Sequence, residues 1–429
     1  MNSISSNTDE KIANFISKTI ICLFLIFIIW PNPLYRVAHY NLKMGYMVLI
    51  CISAILPWIV LFDKGYLGHK ITKMIWFLRV LALIIFVGVG VEYGVSRVDL
   101  ISFGGTIIIT FFYEVGFIIV RTRQLEFFLK SVVWCVFSLC LYLQLFLIPL
   151  VYRYRLPAAF MPIMRDNYHH EWPNAFSMVL ILAILINFYL IKRGKEYFVT
   201  LFVIFVTLVL TFCRTSFAIL GIVVIYLCYA QKGAFFRRFI RTAVIGCLMV
   251  LLFFWVNTVK EESYRNISGT KLIHSQKMRI SRWVSILKGI ENRPVFGVGF
   301  RSAVINIPVI RTYSGEITGM HSAHNDYIDL LLRAGALYSF IFWSFVLMMV
   351  FRGFKRVDNE SKVFRYLSLS MVALLMGCLT QNLLKDPFTA SFFWIYIAAI
   401  GDFTSKRIVV VSKGRLGKLA ERDLARTDY

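Results

Sequence analysis

The sequence predicts an all-α integral membrane protein of about twelve transmembrane helices, with one long external loop that contains an amphipathic helix. Three observations lead there. Of the 429 residues, 59% are hydrophobic and 16% charged, whereas a soluble domain is nearer half apolar with about a quarter of its residues charged. Apolar runs close to the ~20 residues needed to span hydrocarbon recur along the chain, and in hydrocarbon a helix is what satisfies its own backbone N–H and C=O groups. The Lys and Arg residues gather in alternate connections between those runs, as the positive-inside rule requires of a multi-pass protein.

The runs fall at roughly 17–30, 44–62, 74–91, 100–120, 131–151, 174–191, 196–213, 215–230, 242–259, 325–351, 366–384 and 388–403. Connections after the even-numbered runs carry Lys64, Lys70 and Lys73, then Arg121, Arg123 and Lys130, then Lys192, Arg193 and Lys195, then Lys232, Arg237, Arg238 and Arg241, then Arg352, Lys355 and Arg356. These are predicted to be cytoplasmic, as are both termini. The formal charge of +24 is therefore mostly a topology signal, and nucleic acid is not an expected partner. No cleavable signal is visible at the N-terminus, where a polar stretch precedes a first apolar run that lacks a small-residue cleavage site. The eight cysteines all lie in apolar segments, so neither a structural disulfide nor a cysteine metal site is expected.

Residues 1–259 are read as about nine spans, 260–324 as the long loop, 325–403 as about three spans and 404–429 as a basic cytoplasmic tail. A shorter outward loop runs from about 152 to 173. A loop of some sixty residues is usually functional or disordered, and this one is not low in complexity. Within it Ile280, Trp283, Val284, Leu287 and Ile290 follow helical spacing, which predicts an amphipathic helix near the membrane surface with Arg282 on its polar side. Pro294, Gly297 and Gly299 then break that helix and permit a tight turn.

Chemistry-bearing residues cluster around this loop. His324 stands where the loop enters a helix. The positive end of the helix dipole disfavours imidazolium there, so the ring stays neutral and able to accept a proton, as a general base must. The alternative is that His324, Asn325 and Asp326 simply cap the helix. His321 with His324 at i, i+3 suggests a metal pair, but no further ligands stand at a recognisable spacing, so no metal site is expected.

Arg214 sits between two apolar runs with almost no loop. It is either a phosphate ligand facing a cavity or an interfacial side chain reaching for water. Arg282, with Arg279, Lys277 and Arg265, makes the external loop basic, which fits an anionic ligand such as a lipid pyrophosphate, or the plain tolerance of long loops for charge. Asp386, beside Lys385 between the last two runs, pairs locally or adds to an external site. The GVGF stretch lacks the Lys and Ser/Thr of a nucleotide-binding loop and reads as a turn.

Taken in order, a helix-embedded Arg214, a loop Arg282 before Trp283, a Pro-x-x-Gly-x-Gly turn and then His324-Asn325 at a helix start resemble the O-antigen ligase and polymerase family. The ligase pattern His-[Asn/Ser/Gln]-x9-Gly-x-x-[Gly/Thr/Tyr] is met by His324, Asn325, Gly335 and Tyr338. The resemblance covers roughly residues 200–340. It implies a membrane-embedded, metal-independent inverting glycosyltransferase of the bacterial inner membrane, without cofactor, whose active site and long loop face the periplasm. Its donor is then an undecaprenyl-pyrophosphate-linked glycan, its acceptor lipid A-core, and membrane lipids surround it. On that likeness Arg214, Arg282 and His324 are catalytic, and Arg279, Arg265, His321, Asn325 and Asp386 contact substrate. An O-antigen polymerase that joins carrier-linked repeat units is the alternative, and a glycolipid flippase or transporter the second. A transporter calls for interrupted helices with charges near mid-membrane, while the charges here cluster externally.

Overall fold

The structure is a computed structural model that describes residues 68–154, 172–230 (except 192 and 212), 325–356, 363–384 and 387–402, together with positions at 15–25, 283–299 and 311–316. Apart from a two-residue ribbon, β1 (Arg311–Thr312) paired antiparallel with β2 (Gly315–Glu316), these residues form helices and their connections. The helices are α1 (Lys70–Tyr93), α2 (Arg97–Thr110), α3 (Phe112–Arg121), α4 (Leu125–Tyr154), α5 (Trp172–Leu190), α6 (Glu196–Leu210), α7 (Arg214–Ala230), α8 (Asp326–Arg356), α9 (Val363–Cys378) and α10 (Pro387–Asp402).

Four stretches are long and apolar enough to cross a membrane: Lys70–Tyr93, Ser102–Arg121, Leu125–Leu145 and Asp326–Lys355. Shorter apolar helices occupy Phe176–Leu190, Glu196–Leu210, Thr215–Leu227, Val363–Cys378 and Thr389–Gly401. Each falls on a run read from hydropathy. The expected spans at 44–62 and 242–259, and most of that at 17–30, lie outside the described residues.

Packing inside the bundle relies on small residues and on polar side chains that bond across helices, because the apolar effect does little to hold helices together in lipid. A Cβ on Gly116 of α3 would come 2.8 Å from the Ala398 Cβ and the Ile395 Cα of α10, so this glycine lets the two helices approach closely. Thr200 of α6 donates to Asn187 of α5 at 2.7 Å, and Gln144 of α4 donates to Thr207 of α6 at 2.9 Å.

The run at 100–120 is two helices, broken at Phe111, and a buried ion pair marks the break. Arg79 of α1 donates to Glu114 through both terminal nitrogens, at 2.6 and 2.7 Å, and to Thr110 Oγ1 and Thr110 O at 2.8 Å each. Its guanidinium also lies over the rings of Trp76 and Phe111, at 4.8 and 4.2 Å. Every nitrogen of Arg79 is thereby engaged, and one of its partners is the carbonyl of the last α2 residue. The arrangement is a structural pin.

The bundle has two distinguishable ends. At one, Glu126 of α4 pairs with both Lys130 and Arg193, joining two of the basic connections read as cytoplasmic. Gly353 of α8 meets Ser368 of α9 there, and Gly401 of α10 meets Ile71 of α1. At the other end Ser216 near the start of α7 shares a 2.5 Å hydrogen bond with Ser177 near the start of α5, Met178 packs on Gly377 near the end of α9, and Tyr327 at the head of α8 donates to Leu375 O at 3.0 Å.

Candidate active site

The head of α8 is built at that second end. Asn325 is its N-cap: its side-chain oxygen accepts from the N–H groups of Tyr327 at 2.9 Å and Ile328 at 3.2 Å, and its carbonyl accepts from Asp329 N. Two of the four donors that a helix start leaves unpaired are thereby satisfied. Asp326 is 3% exposed, and its carboxylate accepts from Leu384 N at 3.0 Å and contacts the Cys378 thiol. The helix therefore starts in the protein interior.

The run at 325–351 is read as one continuous helix, and the structure breaks it at Gly335. Gly335 has φ 74° and ψ 179°, which ends one helical arm at 334 and begins another at 336. Tyr327 and Trp343, eight positions either side of Gly335, stack with ring centroids 4.2 Å apart. A straight helix would hold their Cα atoms about 24 Å apart, so the two arms fold back on each other. The second arm, 336–356, is about 31 Å long and matches the ~30 Å hydrocarbon core by itself. The first arm is an extra element that returns Asn325 and Asp326 to the interior, with Tyr327 against Trp343.

The turn after the loop helix holds this corner. Val298 N and Gly299 N donate to the carbonyls of Leu332 and Arg333, at 2.8 Å each, and Ala336 N donates to Pro294 O at 2.8 Å. The turn thus caps the end of the first arm and the start of the second at once, filling positions that helix termini leave open. Gly297 and Gly299 have φ 61° and 81°. A Cβ on Gly297 would collide with Leu332 O, and one on Gly335 with Val295 O. The glycines are there because three backbone segments meet.

The turn is itself tied to the end of α1. Arg293 pairs with Glu92 at 2.5 Å and lies 3.9 Å from the Tyr93 ring, while a Cβ on Gly299 would come 2.5 Å from the Val89 Cβ. Arg333 pairs with Asp329 at 3.0 Å and donates to Ser102 of α2 at 3.1 Å.

Before the turn, Trp283, Val284, Ile286, Leu287, Lys288, Ile290 and Glu291 are helical, as the spacing predicts. The buried face differs from the expected one. Ile286 and Ile290 are buried with Leu332, and Trp283, Ile328 and Leu331 pack around them, while Val284 and Leu287 stand exposed. This helix thus packs against the first arm of α8. Ile286 and Ile290, like Ile328 and Leu332, are one turn apart on a shared face, and both helices run toward the corner, so they lie side by side and parallel.

Of the expected site residues, Arg214 is the first residue of α7, two positions before Ser216 at the second end, and Asn325 is the cap described above. His324, Arg282, Arg279, Arg265, His321 and Asp386 lie outside the described residues. Each of three adjoins a described one in sequence: His324 precedes Asn325, Arg282 precedes Trp283, and Asp386 precedes Pro387. Among the described residues no group of three or more His, Cys, Asp or Glu side chains could hold a metal ion.

With this geometry in place the comparison with known proteins is informative, because the matched stretch takes in α7, the loop helix, the turn and the corner of α8. Residues 199–342 match the O-antigen ligase family. The chain resembles that family, as its motifs indicate. A more distant relative is the ComP-specific O-oligosaccharyltransferase of Acinetobacter baylyi (strain ATCC 33305 / BD413 / ADP1), 23% identical over 242 residues, which are 54% of this chain and 42% of the relative. The chain thus spans less than half the length of that protein. The apolar helices and the ligase-family likeness together point to a membrane protein.

Proposed function

We propose that the protein is an O-antigen ligase, transferring polysaccharide from undecaprenyl pyrophosphate to lipid A-core at the periplasmic face of the bacterial inner membrane. One relationship carries the site assignment. Pro294 O and Ala336 N are hydrogen-bonded, and Arg282 and His324 each stand twelve positions before that pair. The helices leading to it are parallel and packed through Ile286, Ile290, Ile328 and Leu332, which supports a shared location for the two residues. Arg214 begins α7, which is linked to the α8 head through Ser177, Met178, Gly377 and Cys378.

In this mechanism the arginines grip the pyrophosphate through bidentate contacts and neutralise the charge that develops as it leaves, the part played elsewhere by a metal ion. His324, which immediately precedes the α8 cap in sequence, acts as general base and takes the proton of the acceptor hydroxyl. The oxygen then bonds to the anomeric carbon as the bond to undecaprenyl pyrophosphate breaks, with inversion. Arg279, Arg265, His321, Asn325 and Asp386 contact substrate. Because Asn325 already caps α8, His324 is not needed as the cap.

The same proposal takes about twelve spans, cytoplasmic termini and an external segment from 260 to 323, with spans before it to 259, three more over 325–403, and a basic cytoplasmic tail at 404–429. It is supported by the meeting of two basic connections at Glu126, at the end opposite to the head of α8.

The similarity to a ComP-specific O-oligosaccharyltransferase favours a second reading in which the acceptor hydroxyl belongs to a protein. The lipopolysaccharide and glycoprotein profile of a deletion strain separates the cases. Free core together with full-length carrier-linked polymer is expected of the ligase. Core bearing a single repeat unit identifies a polymerase, and normal lipopolysaccharide with a surface protein stripped of glycan identifies the protein acceptor.

A further inference from the structure

We propose that the turn at 294–296 is seated in the lipid bilayer, with the Val295 and Phe296 side chains inserted among phospholipid acyl chains at the end of the bundle where α8 begins. The inference stands on the apolar helices and is independent of the transferase reading. Pro294, Val295 and Phe296 are exposed one after another, the last two at 47% and 52%, although their backbone is fixed. Pro294 O accepts from Ala336 N, and a Cβ on Gly335 would meet Val295 O and Phe296 N. The outward face of the loop helix before them is mixed, with Lys288 and Glu291 exposed beside Val284 and Leu287, so a wholly apolar surface begins at the turn. Apolar side chains that are held in place and left uncovered mark a contact with an apolar partner.

Two helices that cross the membrane set the depth of the turn. Val89 of α1, on which Gly299 packs, stands nineteen positions from the exposed Lys70, and Ala336 of α8 stands nineteen from the exposed Lys355. Each interval is about 29 Å of helix. The two lysines belong to one end, because Gly401 of α10 meets both Ile71 of α1 and Met349 of α8. The turn therefore lies one hydrocarbon thickness, ~30 Å, from that basic end, at the far edge of the apolar core. Just beyond it along α1 come Glu92, paired with Arg293 at 2.5 Å, and Tyr93, whose ring lies 3.9 Å from the Arg293 guanidinium. Tyr and Arg are anchors at the boundary between lipid and water. Val91 of α1 and Leu337 and Phe340 of α8, on the same two membrane-crossing stretches, are exposed. Val295 and Phe296 continue that lipid-facing surface beneath the charged pair.

The test is photo-crosslinking of the full-length protein in nanodiscs of phosphatidylethanolamine and phosphatidylglycerol. Phe296 is replaced by p-benzoylphenylalanine, with the same probe at Phe340 as the lipid-facing reference and at Glu291 as the reference for the outward face of the loop helix. Irradiation of the variant at 296 is expected to add the mass of one phospholipid to the peptide that carries the probe, attached through an acyl chain. The yield should be close to that from position 340 and clearly above that from position 291. Should the variant at 296 fail to fold, Val295 takes the probe with the same expectation. A yield no higher than from position 291, or attachment through the headgroup, overturns the proposal. So does a crosslink to another segment of the same chain or to a second copy, either of which would identify a protein cover over the turn. No readout depends on transfer activity, so each of these failures leaves the transferase reading standing.

Discussion

Tyr327 and Trp343 stack with their ring centroids 4.2 Å apart, although a straight helix would separate their Cα atoms by about 24 Å. The contact exists because α8 reverses at Gly335, and it brings the residues just after His324 into the bundle interior. Asn325 and Asp326 are 6% and 3% exposed. The reversal converts what would be an interfacial helix start into a buried one at Asn325 and Asp326.

Gly335→Ala therefore acts on the site through the backbone. A Cβ there would collide with Val295 O, at φ 74° and ψ 179°, a region that is essentially glycine-only and costs other residues about 1–3 kcal/mol. A lowered thermal midpoint in detergent and loss of transfer are expected. Gly221→Ala, on a helix with nothing within 4 Å of the added carbon, is the matched control and should leave the midpoint unchanged or slightly raised.

The buried pair of Arg79 and Glu114 gives an independent check on the bundle. Removing one partner leaves an uncompensated buried charge, at a cost of about 3–5 kcal/mol. Arg79→Met and Glu114→Gln should each unfold at clearly lower temperature, while Arg79→Met with Glu114→Leu recovers much of the loss. Equal destabilisation by the double variant and the worse single one would show that the pin contributes more than mutual neutralisation.

Much of this architecture is legible in the sequence, and the failures have physical causes. Hydropathy locates each described helix, the Cys213–Arg214 junction separates α6 from α7, and Pro294, Gly297 and Gly299 announce their turn. The corner at Gly335 is hidden, since one glycine within an apolar run is compatible with continuous helix. What reverses the chain is a partner segment some forty residues upstream that supplies caps to both arms. Arg79 and Glu114 lie 35 positions apart in separate apolar runs, so their pairing is a tertiary fact. On the loop helix, periodicity selects Val284 and Leu287, but contact with the first arm of α8 buries Ile286. The expected site is legible as a motif order, and among its members the described residues include Asn325 and the start of α7.

Arg282→Lys distinguishes bidentate recognition from simple attraction. A point ammonium keeps the charge but cannot match two pyrophosphate oxygens with a planar fork. Most transfer activity should be lost, and Arg279→Lys should matter less. A fully active Arg282→Lys variant, measured in vitro with carrier-linked donor, would mean that charge alone suffices.

The central claim is that His324 accepts the proton of the acceptor hydroxyl while Arg214 and Arg282 hold the departing pyrophosphate. The most direct test is transfer by purified His324→Ala, with donor binding and thermal unfolding measured on the same sample. Because Asn325 supplies the cap, folding should be unaffected, and with both arginines intact donor binding should persist. Turnover should fall by roughly 10²- to 10⁴-fold, the range for loss of a general base. Turnover near that of the parent protein would contradict the claim, and joint loss of turnover and donor binding would move His324 to the pyrophosphate site.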